Sequence, residues 1–267
     1  MTASSDTSDK GRTTARTVLI LDAVALSEEG ATLTEVAQHA GMSPSGAHRA
    51  LNALITAGVA TQDGPRGRYR LGPRVWNWAQ SMPLESRLLS CSREALRDLN
   101  RSTGETVLFS LLRDERIWTI ASYIGTRAVV ATPTLEGNSE LHATARGHVF
   151  LAAMDDAAIA RIIRRTGLTA YTPETITSEE GLREAVRTTR RSGLAWSLNS
   201  VEMGASGVAA PVRGREGEII ACIGIAVPTM RAAGPERAVI EAELARGVAQ
   251  IENNWLKVTS SPAVQRD

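Results

Sequence analysis

Side chains that can contact nucleic acid are concentrated in the first third of the chain. Ser45, His48, Arg49 and Asn52 fall within eight residues and share one face if this segment is a helix. Each can bond to a phosphate or a base edge. We predict that a double-stranded DNA operator is bound by a surface of hydroxyl, imidazole, amide and guanidinium groups: Ser43, Ser45, His48, Arg49, Asn52, Arg66, Arg68 and Arg70.

Positive charge is also local to this part of the chain. Between residues 41 and 80 there are five arginines and one aspartate, a balance of +4, whereas the whole chain has a net charge of +1. A polycation is therefore excluded, and a nucleic-acid function must rest on this segment alone.

The elements that must position these side chains have clear signals. Thr32 and Glu35 fit a capping box at the start of a short helix, and Gly41 fits its end. Ser43 followed by Pro44 is typical of the start of a second helix. Two short helices joined by a tight turn form a helix-turn-helix. The second helix presents a buried stripe on its other face, formed by Ala47, Ala50, Leu51 and Leu54.

A β-hairpin, or wing, is predicted after this helix. Residues 59–61 and 68–71 have strand character, and residues 63–67 are rich in turn formers. Alternation places Arg68 and Arg70 on one face of the hairpin. A winged helix-turn-helix would present that face to DNA, although such a unit could equally serve as a protein-interaction module with solvated arginines.

The composition limits the number of domains and the class of protein. The chain has 267 residues, 43% hydrophobic and 22% charged, which suffices for one small and one medium domain. Its two cysteines, Cys91 and Cys222, lack the spacing of a metal site, and no apolar run approaches 18 residues. We expect a cytoplasmic protein without cofactor, metal or membrane partner.

The remainder of the chain has an α+β pattern. A linking helix is expected over 74–89, with Pro83 breaking or kinking it, and another helix over 92–102. Strands are expected over 106–112, 116–124, 128–132, 194–198, 207–212 and 218–227. Helices are expected over 144–154, 155–166, 178–192 and 235–257.

Many short motifs, in order, resemble the IclR family of bacterial transcription regulators. They are TLTEVA (32–37), GMS (41–43), HRAL (48–51), YRLGPR (69–74), TGETV (103–107), LHATARG (141–147), YTPETIT (171–177) and VAAPV (208–212), together with Gly193, Glu202 and Gly204. Because these motifs span both halves of the chain, the resemblance is specific.

The resemblance implies a ligand-responsive regulator, which we expect to be a repressor. Residues 1–11, which are rich in serine, threonine and aspartate, are expected to be a disordered leader, and residues 259–267 a disordered tail. Between them we expect the winged helix-turn-helix over 12–74, and the resemblance implies a linker helix (75–90) and a GAF-like effector-binding domain with a mixed sheet flanked by helices (91–258). It also implies a homodimer or a homotetramer (dimer of dimers). Apolar residues Trp76, Trp78 and Leu84 in the linker are consistent with such an assembly.

The chain departs from the family in both domains. Its recognition helix has the run 44–47 (PSGA) where the family often has Lys-Ser-Thr-Val. At positions where carboxylate-binding members have an Asp, a Cys and two Ser, this chain has Ser197, Gly207, Gly224 and Ala226, so we expect a less polar or aromatic effector.

The predicted effector site combines those strand positions with a helix start and an aromatic side chain: Thr144, Ala145, Arg146, Trp118, Ser197, Gly207, Gly224 and Ala226. Trp196 and Phe109 are further candidates for its lining. Arg146 either holds one anionic or carbonyl group of the ligand or is a solvated surface residue.

Two other functions fit the residues less well than a DNA-binding regulator. An enzyme would need a catalytic constellation, yet His142 and His148 have no carboxylate at ligand spacing, and Ser206 follows no nucleophile elbow. A sensory module that has lost DNA binding is disfavoured by Arg49, Arg68 and Arg70. We therefore predict no catalytic residues.

Overall fold

The computed structural model describes residues 4–27, 29–65, 67–81, 83–131 and 140–260. The chain divides into two compact units between Ser86 and Arg87. We refer to them as the N-terminal unit and the C-terminal unit and describe each by itself.

The N-terminal unit has the predicted winged helix-turn-helix elements. They are α1 (Ser4–Ala25), α2 (Leu33–His39), α3 (Pro44–Thr56), β1 (Ala60–Gln62), β2 (Tyr69–Leu71) and α4 (Pro73–Gln80). Thr32 and Glu35 form the capping box at the start of α2, and the Ser43 hydroxyl accepts a hydrogen bond from the Gly46 amide at the start of α3. Both helix starts were therefore predictable from local sequence.

The core of this unit joins the three helices to the wing. Ile20, Val36 and Leu51 are fully buried between α1, α2 and α3. β1 and β2 pair antiparallel, and Tyr69 of β2 also bridges Ala31, just before α2. The buried Tyr69 ring thereby fixes the wing to the helices.

Two predicted boundaries require correction. Residues 4–11, expected to be a disordered leader, continue α1, which is anchored further along by the buried Ile20 and Val24. Each residue added to an existing helix gains a backbone hydrogen bond, so an anchored helix can continue into a polar segment. The expected tail is also shorter, because α10 (Glu236–Ser260) includes residues 259 and 260; residues 1–3 and 261–267 lie outside the described part of the chain.

The linker is not one helix over 75–90. α4 ends at Gln80, and α5 (Pro83–Thr103) begins with Pro83 as its first residue, because proline disfavours a helical conformation in the residue before it. α5 then continues past residue 90, because Leu88, Ala95 and Leu99 keep one buried face along it.

The C-terminal unit is α+β, as predicted. After α5 come β3 (Thr106–Arg113), β4 (Arg116–Tyr123), α6 (Ala145–Ala152), α7 (Asp156–Thr166), α8 (Glu179–Ser192), β5 (Ala195–Leu198), β6 (Ala205–Arg213), β7 (Ile219–Pro228), α9 (Thr229–Ala232) and α10. Residues 128–131, expected to begin a strand, are irregular, and residue 132 is outside the described part.

A five-stranded sheet in the order β4-β3-β7-β6-β5 forms the centre of this unit. All of its described pairings are antiparallel, so the expectation of a mixed sheet was wrong. The short connections β3-β4, β5-β6 and β6-β7 require antiparallel neighbours, since a parallel pair needs a long crossover.

Each face of the sheet carries its own helices. Phe109, Ile223 and Val208 face one core with residues of α5 and α10, whereas Cys222, Ala209 and residues of α6, α7 and α8 form the other. This alternation decides which side chains of each strand can meet the start of α6.

Candidate functional site

The predicted contact surface on α3 exists as one exposed face. Ser43, Ser45, His48, Arg49 and Asn52 are all exposed, while Ala47 and Leu51 are fully buried on the opposite side. The amphipathic spacing read from the sequence therefore placed this surface correctly.

The side chains of this face differ in how far they are engaged. Ser43 Oγ caps α3 and lies 3.3 Å from Ser45 Oγ, and Asn52 Nδ2 lies 3.4 Å from His48 Nδ1. Arg49 has no side-chain partner among the described residues. Its guanidinium is therefore available to an external anion.

The wing arginines are already bonded within the unit. Arg68 Nη1 donates to the carbonyl of Gly30 at 2.8 Å and lies 3.7 Å from Glu35 Oε2, so it fastens the wing to the segment before α2. Arg70 Nε donates to Asp63 Oδ2 at 2.9 Å. Both side chains remain 43% exposed, and Arg66 lies outside the described residues.

A cavity of about 760 Å³ lies in the C-terminal unit between the start of α6 and the strands β6 and β7. Seven of the eight residues predicted for the effector site line it: Thr144, Ala145, Arg146, Ser197, Gly207, Gly224 and Ala226. Four segments distant in sequence are thus brought together as predicted. The rest of the described wall includes residues 129–131 and 200–204.

Trp118, the eighth residue, is not part of this wall. It pairs with Leu111 across β3 and β4, and Leu111 belongs to the core on the opposite face of the sheet. Phe109 and Trp196 pack on that opposite side too, and Trp196 Nε1 donates to Glu241 of α10. The expectation of an aromatic lining from these three residues was wrong, because period-two alternation directs them away from the cavity.

Arg146 is buried, with 7% of its surface exposed, so it is not a solvated surface residue. Its Nη1 donates to Ser110 Oγ and to Thr119 Oγ1, each at 2.8 Å. A Cβ on Gly224 would lie 2.8 Å from Arg146 Cγ and Cδ, so the glycine leaves the space that the arginine stem occupies. Burial lowers the pKa of Arg146, with a smaller opposing effect from Cys222.

Local hydrogen bonds fix the start of α6 beside the strands. The Thr144 hydroxyl accepts from the Gly147 amide at 3.0 Å, and Ser197 Oγ of β5 accepts from the Ala145 amide at 3.1 Å. Ser197 therefore holds the helix start in place. Sequence reasoning missed Ser110 and Thr119; their only signal was a polar residue on an otherwise apolar strand.

His142 of the LHATARG motif and His148, which follows the motif directly, are structural. His148 Nε2 donates to the carbonyl of His142 at 2.8 Å, and His142 Nε2 donates to that of Thr169 at 3.0 Å. Burial lowers the pKa of His148, so its ring is neutral. Among the residues described, no three histidine, cysteine or carboxylate side chains are grouped as metal ligands are, and no helix is long and apolar enough to cross a membrane.

Comparisons with known proteins agree with this two-part organisation. Residues 13–64 match the IclR helix-turn-helix domain, and residues 84–253 match the bacterial transcriptional regulator IclR C-terminal domain. The chain is 32% identical over 241 residues to the HTH-type transcriptional regulator BhcR of Paracoccus denitrificans, covering 88% of this chain and 86% of the relative. It is 29% identical over 218 residues to the transcriptional repressor IclR of Escherichia coli, covering 81% and 80%.

Solved structures show the same architecture. An IclR transcriptional regulator from Alicyclobacillus acidocaldarius superposes with a TM-score of 0.65 at 26% identity, covering 90% of this chain and 97% of that one. An IclR homologue from Microbacterium hydrocarbonoxydans, complexed with 4-hydroxybenzoate, has a TM-score of 0.70 at 22% identity, covering 91% and 99%, and supports the fold alone. The chain thus belongs to the IclR family of transcriptional regulators, with a helix-turn-helix DNA-binding domain followed by a C-terminal effector-binding domain.

Proposed function

We propose that this protein represses transcription by binding an operator through α3 and the wing, and that a small organic effector in the cavity changes its affinity for that operator. The observation that carries the DNA-binding part is the exposed polar face of the capped helix α3, which includes Arg49, a side chain with no partner among the described residues. The names of the relatives, which include a transcriptional repressor, support repression.

The arrangement favours regulation over catalysis. His142 and His148 each donate to a backbone carbonyl, which is a structural role, and neither belongs to a described group of three metal-ligating side chains. We therefore infer that the protein is not an enzyme and that it acts where bacterial operators are, in the cytoplasm.

Operator binding is tested with Arg49. Arg49→Ala should weaken binding to a fragment of the protein's own promoter and lower the slope of log K against log salt by about one unit, if Arg49 contacts one phosphate. Arg164→Ala, which removes an exposed arginine of α7, is the control with the same change of charge. Fluorescence anisotropy over a salt series measures both quantities. An unchanged affinity and slope for Arg49→Ala would contradict the assignment of α3 as the reading helix.

The effector site is tested by filling the cavity. Gly207 and Ala226 pair across β6 and β7 and both line the cavity, and a Cβ on Gly207 meets no atom closer than 3.5 Å, so leucine at either position should occupy part of the cavity. Gly207→Leu and Ala226→Leu should abolish the effect of the ligand on operator binding while leaving ligand-free operator binding intact. Ala157→Leu, on the exposed face of α7, is the control. Aromatic carboxylates are suitable first probes because a homologue of the same fold is complexed with 4-hydroxybenzoate.

A further inference from the structure

Arg146 is a buried cation without a counter-ion. No carboxylate of the described residues pairs with it, whereas the other deeply buried ionic group of this unit, Glu105, is paired with Arg231. Buried charges in proteins are otherwise paired or bound to a ligand, because an uncompensated one carries a large desolvation cost. A charge left unpaired on the wall of a cavity therefore requires a reason.

The partners of Arg146 leave part of its guanidinium unused. Ser110 and Thr119 are neutral hydroxyls, and both accept from Nη1. Nε and Nη2 have no acceptor among the described residues. Among the described residues, Ser122 Oγ is the fully buried side-chain atom that lacks a hydrogen-bond partner. Nε and Nη2 of Arg146 also lack a partner, so they must keep some solvent-accessible surface. Arg146 lines the cavity, which provides that access. Two parallel N–H donors match the geometry of a carboxylate.

The position of Arg146 on α6 adds a second unfavourable electrostatic interaction, which a bound anion would relieve. Arg146 is the second residue of α6, at the positive end of the helix dipole, where a cation is unfavourable. The backbone amide of Arg146 also has no acceptor in the described structure, whereas the amides of Ala145 and Gly147 are bonded. A ligand carboxylate at this corner would compensate the guanidinium and the helix end together.

The rest of the wall limits the ligand to a single negative charge. Much of it is apolar, including Val129, Val201 and Met203, while the charged groups besides Arg146 in the described wall are the carboxylates Glu140 and Glu202. A second acidic group on the ligand would meet these carboxylates. An apolar body with one acidic group fits this distribution.

We propose that Arg146 binds the carboxylate of the effector, and that the cavity therefore takes organic monocarboxylates with an apolar body. This inference rests on the proposed function, because it takes the cavity to be the effector site. It adds a charged contact to the expected apolar selection: the strand positions are small, and the charge that would recognise the ligand lies at the start of α6.

The test is calorimetric titration of the full-length protein with matched acids and amides. The probes are benzoate with benzamide, phenylacetate with phenylacetamide and hexanoate with hexanamide, and terephthalate serves as the dianion. For wild type, at least one acid should bind ten times or more tightly than its amide, and terephthalate should bind more weakly than benzoate. Equal affinities within every pair, or no binding by any acid, would overturn the proposal.

Variants of Arg146 separate recognition from structure. Arg146→Met should lose at least tenfold in affinity for the acid while the amide changes by less than threefold, and Arg146→Lys should keep part of the preference. Arg164→Met should behave as wild type. Ligand-free Arg146→Met should unfold at the same temperature as wild type or higher, since it removes an uncompensated charge. A lower unfolding temperature with an unchanged acid-to-amide ratio would assign Arg146 a structural role and overturn the proposal.

Failure of this inference can be told apart from failure of the proposed function. If Ala226→Leu abolishes binding of acid and amide alike but wild type does not distinguish them, the cavity remains the effector site and the role of Arg146 is wrong. If Ala226→Leu binds every probe as wild type does, the cavity is not the effector site, and both proposals fall.

Discussion

Asp63 is a carboxylate placed within the basic surface of the N-terminal unit. Its Oδ2 lies 2.9 Å from Arg70 Nε, and both side chains are about half exposed. An exposed pair of this kind contributes little to stability, typically 0–1 kcal/mol. If Arg70 contacts DNA, as we propose, the carboxylate competes with phosphates for the arginine.

Asp63→Asn should therefore raise operator affinity a few-fold and steepen the salt dependence, without a measurable change in unfolding temperature. Anisotropy titrations at several salt concentrations measure the effect. Asp98→Asn, which removes an exposed carboxylate paired with Arg101 of α5, is the control. An Asp63→Asn protein with lower or unchanged operator affinity would show that the wing is held away from DNA.

His148 makes the stability of the C-terminal unit depend on pH. Burial lowers its pKa in the folded state, so the unfolded chain, with a histidine pKa of about 6.5, binds the proton first as pH falls. The contribution of the neutral ring is complete above about pH 6.5 and is lost as pH falls towards the lower folded pKa, by up to about 1.4 kcal/mol per pH unit.

His148→Gln keeps a donor for the carbonyl of His142 and cannot titrate, so it should flatten this dependence between pH 7.5 and 5.5. Unfolding midpoints in urea across that range measure it, with His48→Gln as the control for an exposed histidine. An equal slope in wild type and His148→Gln would exclude His148 as the cause.

At the scale of elements, α6 and α8 begin with the same type of cap but differ in how closely the preceding backbone approaches the first turn. Each has a hydroxyl cap followed three residues later by glycine: Thr144 with Gly147 in α6, and Ser178 with Gly181 in α8. A Cβ on Gly147 would lie 2.1 Å from the carbonyl oxygen of Leu141, whereas one on Gly181 would lie 3.0 Å from Ser178 Oγ. Only α6 is pressed against the backbone that precedes it.

Gly147→Ala should therefore displace the start of α6, which carries Thr144 and Arg146, and destabilise the protein by roughly 1–3 kcal/mol, as overpacking does. Gly181→Ala should be close to neutral, because the better helix propensity of alanine offsets a contact that a side chain can relieve. Thermal unfolding of both variants measures the difference. A Gly147→Ala protein as stable as Gly181→Ala would show that the turn before α6 adapts freely.

At the scale of the whole molecule, exposed apolar residues indicate that several copies of the chain assemble. Trp76, Trp78 and Leu84 expose 68%, 50% and 36% of their surface, which is a large apolar area within nine residues. Exposed clusters of this kind are typical of interaction sites, and regulators that read two half-sites need two copies.

We therefore expect a homodimer or a homotetramer, and expect Trp76→Glu combined with Trp78→Glu to weaken it at micromolar concentration. Light scattering measures the mass of both proteins with and without promoter DNA. Met230→Glu, another exposed apolar residue at 75% exposure, is the control. A monomeric wild type, with DNA present, would contradict the expectation.

Local sequence determined the helix-turn-helix almost completely. Its signals are contained within a few residues: a capping box at Thr32, a Ser-Pro start at Ser43 and an amphipathic stripe through Ala47 and Leu51. Such features predict a helix and its exposed face because capping and burial act over one or two turns. The identities of the residues that line the cavity were predictable only through the family resemblance.

What the tertiary structure decided is the direction of individual side chains and their partners. Trp118 was expected in the cavity, but its strand register turns it to the other face of the sheet. Arg146 had two readings in the sequence, and packing against Gly224, Ser110 and Thr119 selects the buried one. Sequence order determines which residues alternate, whereas the pairing of strands distant in the chain determines which face each residue occupies and which charge is left without a partner.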